Sequence, residues 1–176
     1  MPTLTLPLTT ANDGTEYGAV YFNVLKIPAA AVREILDRPH NANRVVCRIN
    51  GEGVIHRGLM PDGHGDYILL ISQEVKKQFG LADGEDVTIH LTPDDSDYGT
   101  PLPAEAAELW EIDPEAREVF HTLTPGKQRN LLLLIDKLKR PDSRAKKAVQ
   151  IHEYLKAVNG KLDYRELNAW IKADNR

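Results

Sequence analysis

The apolar positions of residues 17–93 follow a pattern that occurs twice. The first pass reads YFNVLKIPAAAVREIL, then a loop, then NRVVCRINGEG, and the second reads DYILLISQEVKKQFGL and then ADGEDVTIHLTPDD. In each pass an apolar run ends at an isoleucine, and Pro28 or Ser72 then provides a helix start. Each pass closes with alternating apolar positions, which are typical of a half-buried strand. The pattern predicts two related strand–helix–strand units.

A further strand and a turn connect the two passes. The segment GVIHRGLM is predicted to be this strand, and Pro61, Asp62 and Gly63 supply the residues of a tight turn. Because units of this length cannot bury a core alone, we expect them to pair in one compact barrel. Residues 17–95 are therefore predicted to form a barrel of about six strands with two short helices. Residues 1–16 are predicted to be an N-terminal tail.

Helix start signals dominate the rest of the chain. Residues 96–102 lie in a segment rich in proline, aspartate and glycine and are predicted to be a linker. Residues 103–176 then carry five predicted helices, which start at Pro103, Asp113-Pro114, Thr124-Pro125, Asp142 or Ser143, and Asp163. Apolar stripes support the two longest helices, at Leu131, Leu134, Ile135 and Leu138 and at Ala145, Ala148, Val149, His152 and Leu155. The predicted fold class is α+β, with a small β-barrel followed by an all-α domain.

The second pass resembles a known kind of barrel half. The segment YILLISQEVKKQFGLADGEDVTIHLTPDD is similar to the strand–helix–turn–strand half of the swapped-hairpin barrels of the AbrB and MazE kind. In those proteins two chains supply the two halves, whereas this chain carries both. Over residues 17–95 the chain resembles a bacterial domain family of unknown function with a double-split β-barrel. The resemblance implies an internally duplicated, AbrB-like barrel.

The helical half resembles the YdeI/OmpD-associated domain. The matching segment is LPAEAAELWEIDPEAREVFHTLTPGKQRNLLLLIDKLKRPDSRAKKAVQI. Its hallmark is a basic stretch around a proline, here residues 139–144, followed by Lys146 and Lys147. The resemblance implies a bacteriocin-protection-like or stress-associated protein, and it attaches no reaction to any residue. The final segment, KLDYRELNAWIKADNR, lies beyond the resemblance.

Charge is unevenly distributed along the chain. The net charge is −4, which is not typical of a general nucleic-acid binder. Residues 124–147, however, hold eight basic residues against two acidic ones. Such a cluster can bind phosphate groups or balance the acidic residues of segment 101–123, and the absence of interleaved aromatic residues favours the balancing role. The candidate binding residues are Arg57, His64, Arg140, Arg144, Lys146 and Lys147.

The stretch HRGLMPDGHGDY holds residue types that also occur in metal sites. His56, Asp62, His64 and Asp66 could ligate zinc, but none has the helical spacing that commonly fixes such ligands. A turn between two strands explains the Pro-Asp-Gly sequence, so neither a metal nor a cofactor is expected. Cys47 is the single cysteine and alternates with the apolar positions of a strand, so we expect it to be buried.

Other catalytic and targeting signals are absent from the sequence. His121 and His152 lie in predicted helices among apolar neighbours, where packing or capping is the usual role of histidine. The longest apolar runs are too short for a membrane span, and the first residues do not form a signal peptide. The sequence therefore predicts a cytoplasmic protein that does not enter a membrane.

Three hypotheses follow. The first is a non-enzymatic binding or stress-response protein of the YdeI/OmpD-associated kind, with a protein as the possible partner. The second is a DNA-binding regulator, which requires Arg57, Arg140, Arg144 and Lys147 to form one positive surface. The third is an enzyme that acts on a small molecule, with His56, His64 or Arg57 in the wall of a deep pocket.

Overall fold

The structure is a computed structural model that describes residues 1–10, 23–38 and 43–175. The chain divides into two compact units, residues 1–95 and residues 96–176. The first unit contains strands β1 (Thr3–Pro7), β2 (Thr9–Thr10), β3 (Asn23–Ile27), β4 (Arg44–Ile49), β5 (Gly53–Pro61), β6 (Tyr67–Ile71) and β7 (Asp86–Pro93) and helices α1 (Ala29–Leu36) and α2 (Gln73–Phe79). The second unit contains helices α3 (Ala104–Ile112), α4 (Pro114–His121), α5 (Pro125–Asp136), α6 (Pro141–Ala157) and α7 (Tyr164–Asp174).

The strands of the first unit form an antiparallel, nearly closed, barrel-like sheet. Their order is β1-β7-β4-β5-β6-β3-β2. The chain passes from one edge of this sheet to the other at Leu8, between β1 and β2. Leu8 is fully buried, its N–H donates to the carbonyl of Glu85, and its carbonyl accepts from the N–H of Gly84, both at 2.8 Å. The first ten residues therefore bring the two edges of the sheet together.

This arrangement differs from the tail predicted for residues 1–16. Residues 3–7 and 9–10 form strands instead, and Leu4, Leu6 and Leu8 lie at alternating positions. Pro2 and Pro7 hid this strand pattern, because proline cannot donate a ladder hydrogen bond. Pro7 is tolerated because β1 is an edge strand. Residues 11–16 of the predicted tail lie outside the described residues.

The two passes of the sequence pattern adopt the same element order. They form β3–α1–β4 and β6–α2–β7, and the corresponding strands pair with each other, β3 with β6 and β4 with β7. Alternating residues of these strands fill the core, including Leu25, Ile27, Val45, Cys47, Ile49, Leu69, Ile71, Val87, Ile89 and Leu91. Burial of Cys47 is confirmed. The internal duplication and the double-split barrel of the AbrB kind stay predictions.

The turn between β5 and β6 is a hairpin, as predicted. Pro61 pairs with Tyr67 across it. The Asp62 carboxylate accepts the backbone N–H groups of His64 and Asp66, at 2.7 and 3.0 Å. The N–H of His64 is the largest cause of the lowered pKa of Asp62. The Asp66 carboxylate accepts the N–H of Ala29 at the start of α1, so the hairpin also caps that helix.

The second unit packs its helices around a separate core. The predicted start at Asp113 is confirmed, since Asp113 accepts the N–H of Ala116 and Pro114 occupies the first turn of α4. The buried side chains include Ala106, Trp110, Phe120, Leu131, Leu132, Ile135, Ala148, Ile151, Tyr154, Leu155 and Leu167. Val149, predicted on the apolar face of α6, is 45% exposed, because Ile151 and Tyr154 face the core instead. Across the described residues, no helix is long and apolar enough to cross a membrane.

Helix α6 begins two or three residues earlier than the sequence predicts. The expected cap was Asp142 or Ser143, whereas the helix starts at Pro141 and Arg140 is the N-cap. Proline suits the first helical position because the N–H that it lacks would have no intrahelical partner. Arg140 supplies no side-chain acceptor to the first turn. The start of α6 therefore has no side-chain cap, although Asp142 lies in its first turn.

The predicted linker belongs to the core of the second unit. Residues 96–102 form no helix or strand, but the Tyr98 ring lies 5.9 Å from Trp110 and 6.1 Å from Phe120, centroid to centroid. Arg129 donates to the Tyr98 carbonyl at 2.9 Å, and Thr100 is buried. Proline and glycine here mark an irregular backbone that is nevertheless packed.

Replacing Gly160 by alanine is expected to destabilise the second unit. Gly160 follows α6 with a φ of +74°, and an added Cβ would stand 2.6 Å from Thr122 Oγ1. We expect Gly160→Ala to lower the free energy of unfolding by about 1–3 kcal/mol, measured by urea denaturation followed by circular dichroism. Gly126→Ala is the matched control, since open space surrounds its Cβ position. Equal stability of the two variants would contradict the strain assigned to Gly160.

Candidate functional site

The turn between α5 and α6 carries a cluster of basic side chains. We call this cluster the cationic surface and define it by five residues, Lys137, Lys139, Arg140, Lys146 and Lys147. The first four are exposed and Lys147 is half-buried. Among the described residues, the four lysines have no hydrogen bond or ion pair. Arg140 reaches only Asp142, at 3.7 Å between two exposed side chains, and such a pair is weak.

The local fold adds to the positive character of this surface. Helix α6 has 17 residues and starts at Pro141, so the positive end of its dipole lies beside Arg140. The pKa of Lys147 is lowered, first by burial and then by the charge of Lys146. Both causes disfavour the charged lysine, and an anion bound nearby would offset them. The surface therefore has the electrostatic properties of an anion-binding site.

Two arginines of the basic segment are used inside the protein. The Arg144 Nε donates to the Glu105 carboxylate at 2.8 Å, and its Nη1 donates to the Leu138 carbonyl at 3.3 Å. Arg129 is held by the Tyr98 carbonyl. Balancing of the acidic segment 101–123 therefore accounts for Arg144, which anchors α6 to α3. It does not account for the five residues of the cationic surface.

Arg57 lies in the first unit and does not belong to an exposed positive surface. Its register partner across β4 and β5 is Val45, which is fully buried, so Arg57 lies on the core face of the sheet. Burial lowers the pKa of Arg57 and raises the pKa of the nearby Cys47 thiol to about 12. Arg57 is half-buried, and the single surface that the DNA-binding hypothesis requires for Arg57, Arg140, Arg144 and Lys147 stays a prediction.

His64 stands at the exposed tip of the β5–β6 hairpin. Its backbone N–H donates to Asp62, and its side chain has no hydrogen bond to another described residue. His64 thus belongs to a surface turn of the first unit. The structure places the predicted binding residues in three different settings, a core face, a hairpin tip and the α5–α6 turn.

A histidine–aspartate pair in the first unit was missed by the sequence analysis. His56 Nδ1 lies 2.9 Å from Asp94 Oδ2, and the Asp94 side chain is 1% exposed. His56 and Thr92 both pair with Val46, and Asp94 follows Thr92 by two positions, so the three share the outer face of the sheet. Gly58 lies on the same face, where an added Cβ would contact Arg44 Nη1 at 3.4 Å. The sequence did contain a signal for this pair. The alternation of apolar and polar residues in TIHLTPD continues up to Asp94, next to the segment that was predicted to be a linker.

The pair fixes the histidine tautomer. The carboxylate of Asp94 accepts, so His56 Nδ1 carries the proton and Nε2 is left as an acceptor. Within the part of the chain that the structure describes, His56 Nε2 has no partner, and no group of three His, Cys, Asp or Glu side chains could hold a metal ion. The arrangement can orient an imidazole.

Comparison with protein families assigns both halves of the chain. Residues 14–91 match the domain of unknown function DUF1905, and residues 100–157 match OmdA, described as bacteriocin-protection, YdeI or OmpD-associated. The chain carries a DUF1905 domain followed by an OmdA domain. No curated protein and no solved structure matches the chain. The predicted YdeI/OmpD-associated resemblance is confirmed, and the cationic surface lies entirely within the OmdA match.

The OmdA domain also contains a buried histidine. His152 is 1% exposed, its Nδ1 donates to the Ala148 carbonyl at 2.7 Å, and its Nε2 accepts from the Trp110 indole N–H at 2.9 Å. The prediction that His152 has a packing role is confirmed. Burial lowers its pKa, because the core disfavours the imidazolium form. His121, by contrast, is exposed and accepts from the Tyr98 hydroxyl through Nε2.

Loss of the Arg144 anchor is expected to destabilise the OmdA domain more than loss of Arg140. Arg144→Gln removes the ion pair with Glu105 and leaves that carboxylate without its partner. We expect its melting temperature to fall by several degrees. Arg140→Gln changes an exposed side chain and should leave the melting temperature close to that of the wild type. Equal losses in the two variants would show that Arg144 is not an anchor.

The buried His152 is expected to make stability depend on pH. The unfolded chain binds a proton near the ordinary pKa of 6.5, and the folded chain resists it, so stability should fall as the pH drops below that value. His152→Gln removes this titration. We therefore expect the free energies of unfolding of wild type and variant to converge between about pH 8 and about pH 5. His64→Gln is the control at an exposed histidine. A difference in free energy of unfolding between the wild type and His152→Gln that stays constant with pH would contradict the role given to His152.

Proposed function

We propose that this protein is a non-enzymatic binding protein whose OmdA domain binds the phosphate groups of nucleic acid through the cationic surface. The observation that carries the proposal is the accumulation of five basic side chains that the described fold leaves without an effective carboxylate partner. Folded proteins usually place opposite charges beside such a cluster, as this chain does for Arg144 with Glu105. Phosphates would supply the missing negative charge.

The shape of the surface favours a chain of phosphates over one small anion. Lys147 lies seven positions after Arg140, the N-cap of α6, which corresponds to about 10 Å along the helix axis. Lys137 and Lys139 extend the surface beyond the helix start. A single phosphate could contact only part of this length. A nucleic-acid backbone presents charges at regular intervals and could contact all of it.

The composition of the cationic surface favours binding to nucleic acid that does not depend on base sequence. The cationic surface contains no aromatic side chain on which a base could stack. The rest of the chain limits affinity, because residues 1–100 hold 8 basic residues against 14 acidic ones. We therefore expect moderate affinity that falls steeply with salt.

The DUF1905 domain is a separate unit and is not part of the proposed phosphate-binding surface. With Arg57 on the core face, the proposal does not use the barrel for contact with DNA. A protein partner, a bacteriocin-protection-like or stress-associated role and a cytoplasmic location stay predictions. The printed description of the OmdA family names bacteriocin protection.

The proposal is tested by neutralising part of the cationic surface. The variant Lys139→Gln/Arg140→Gln/Lys146→Gln is compared with Lys161→Gln/Arg165→Gln/Lys172→Gln, which removes the same charge from exposed positions elsewhere in the second unit. Binding to labelled duplex DNA and single-stranded RNA is followed by fluorescence polarisation over a salt series. We expect the first variant to lower the salt slope on duplex DNA by about 2–3 and to bind at least about tenfold more weakly at low salt.

The control variant should stay within about threefold of the wild type, because its charges lie outside the proposed surface. Equal weakening of the two variants would mean that net charge alone controls binding. Absence of binding by the wild type at the lowest salt would overturn the proposal and direct the search to a protein partner.

A further inference from the structure

A groove lies between α6 and α7 in the second unit. It encloses about 370 Å³, a volume within the range of small ligand sites. Its lining residues are Val149, Gln150, Glu153, Trp170, Ala173 and Asp174. The α7 wall lies after residue 157, so it is a feature of this chain outside the OmdA match. The phosphate-binding proposal does not use this groove.

The floor of the groove is apolar and exposed. Val149 is 45% exposed and Trp170 is 41% exposed, although both are large apolar residues. The Trp170 ring meets the Tyr154 ring edge-on, with centroids 6.0 Å apart, and the Tyr154 hydroxyl is held by the Asp163 carbonyl at 3.2 Å. Trp170 is therefore an exposed indole with a supported position. An indole face of this kind attracts cations.

The polar walls of the groove carry two carboxylates. The Gln150 side chain, only 4% exposed, donates to Asp174 Oδ2 at 2.7 Å and to Asn175 Oδ1 at 3.1 Å. This buried amide fixes the position of Asp174. Glu153 is 53% exposed and shares one oxygen with Lys156. The second oxygen of each carboxylate has no hydrogen bond to another described residue.

The charge beside Trp170 is not neutralised by Lys156. The Lys156 ammonium lies 2.6 Å from Asp113 and 2.8 Å from Glu153, so it is shared between two carboxylates. These contacts raise the pKa of Lys156, the Asp113 hydrogen bond most. Among the described residues, the Asp174 carboxylate accepts a side-chain hydrogen bond only from the neutral amide of Gln150. The groove thus combines an aromatic face with net negative charge, which is the complement of a cationic side chain.

We propose that the α6–α7 groove binds an arginine side chain of a partner protein. The guanidinium stacks on the Trp170 indole and pairs with the carboxylates of Glu153 and Asp174, and an apolar neighbour of that arginine packs on Val149. Arginine fits better than lysine, because its planar group can stack on the indole and direct separate N–H donors to two carboxylates. The partner segment is therefore basic and contains at least one apolar residue.

The tryptophans provide a direct test with short peptides. The chain has two, of which Trp110 is buried and Trp170 lines the groove. The probes are the tripeptide acetyl-Leu-Arg-Leu-amide and the same peptide with citrulline, which keeps the shape and lacks the charge. We expect a saturable change in tryptophan emission with the arginine peptide and binding at least about tenfold weaker with the citrulline peptide.

Variants of the groove are expected to separate the contributions. Glu153→Gln and Asp174→Asn should each weaken binding by about threefold or more, whereas Glu118→Gln, an exposed carboxylate on α4, should leave it unchanged. Trp170→Leu should abolish the amide shifts that the peptide causes in the NMR spectrum of the wild type. Circular dichroism of each variant shows whether the fold is retained. The triple variant of the cationic surface should bind the peptide like the wild type, which keeps this test independent of the phosphate test.

Several results would overturn the arginine site. Equal affinity for the arginine and citrulline peptides would remove the role of charge. Equal weakening by Glu118→Gln and Glu153→Gln would remove the role of position. A concentration-dependent dimer that Trp170→Leu dissociates would show that a second copy of this chain occupies the groove instead.

Discussion

The hydrogen bond from Trp110 to His152 is the interaction around which the second unit is arranged. It joins α3 to α6 inside the core, where an unpaired indole N–H or imidazole nitrogen would be costly. The Trp110 N–H donates to His152 Nε2, which must therefore carry no proton. The Nδ1–H of His152 donates to the Ala148 carbonyl, so one neutral tautomer of His152 makes both hydrogen bonds. The Arg144–Glu105 pair joins the same two helices again near the start of α6. Together these contacts determine which side of α6 faces the core.

The orientation of α6 separates the two proposed sites. Helix α6 packs against α3, α4, α5 and α7, and its core side carries Ala148, Ile151 and Leu155. The positions left over at its start carry Lys146 and Lys147, which belong to the cationic surface. Further along, Val149 and Glu153 belong to the groove with α7. One helix therefore supplies a surface suited to phosphates and a groove suited to a cation.

Local sequence signals predicted most of the helices and strands. The features that were not predicted depend on pairing between residues far apart in the sequence. The start of α4 followed from Asp113 and Pro114 because capping is chemistry between neighbouring residues. Strand β1 was missed because its prolines obscured the pattern and because its pairing with β7 joins residues about eighty positions apart. His56 and Asp94 meet for the same kind of reason, through the register of β4, β5 and β7. Val149 was misplaced because Ile151 and Tyr154, and not Val149, occupy the core side of α6.

Counting charge along the sequence overestimated the number of basic side chains on the cationic surface, and the residue types explain why. Arg129 and Arg144 add to the count of segment 124–147, yet both guanidinium groups are held inside the second unit, where a planar fork of donors suits fixed acceptors. Of the six other basic residues of this segment, Lys127 lies near the start of α5 and the remaining five form the cationic surface. Four of these five are lysines. An ammonium group is a hydrated point charge that can follow a phosphate without a fixed geometry, whereas base recognition usually uses bidentate arginine contacts. The arginines held inside the second unit and the lysines on the cationic surface therefore agree with contacts to the nucleic-acid backbone that do not depend on base sequence. Any base specificity would come from other surfaces of the chain.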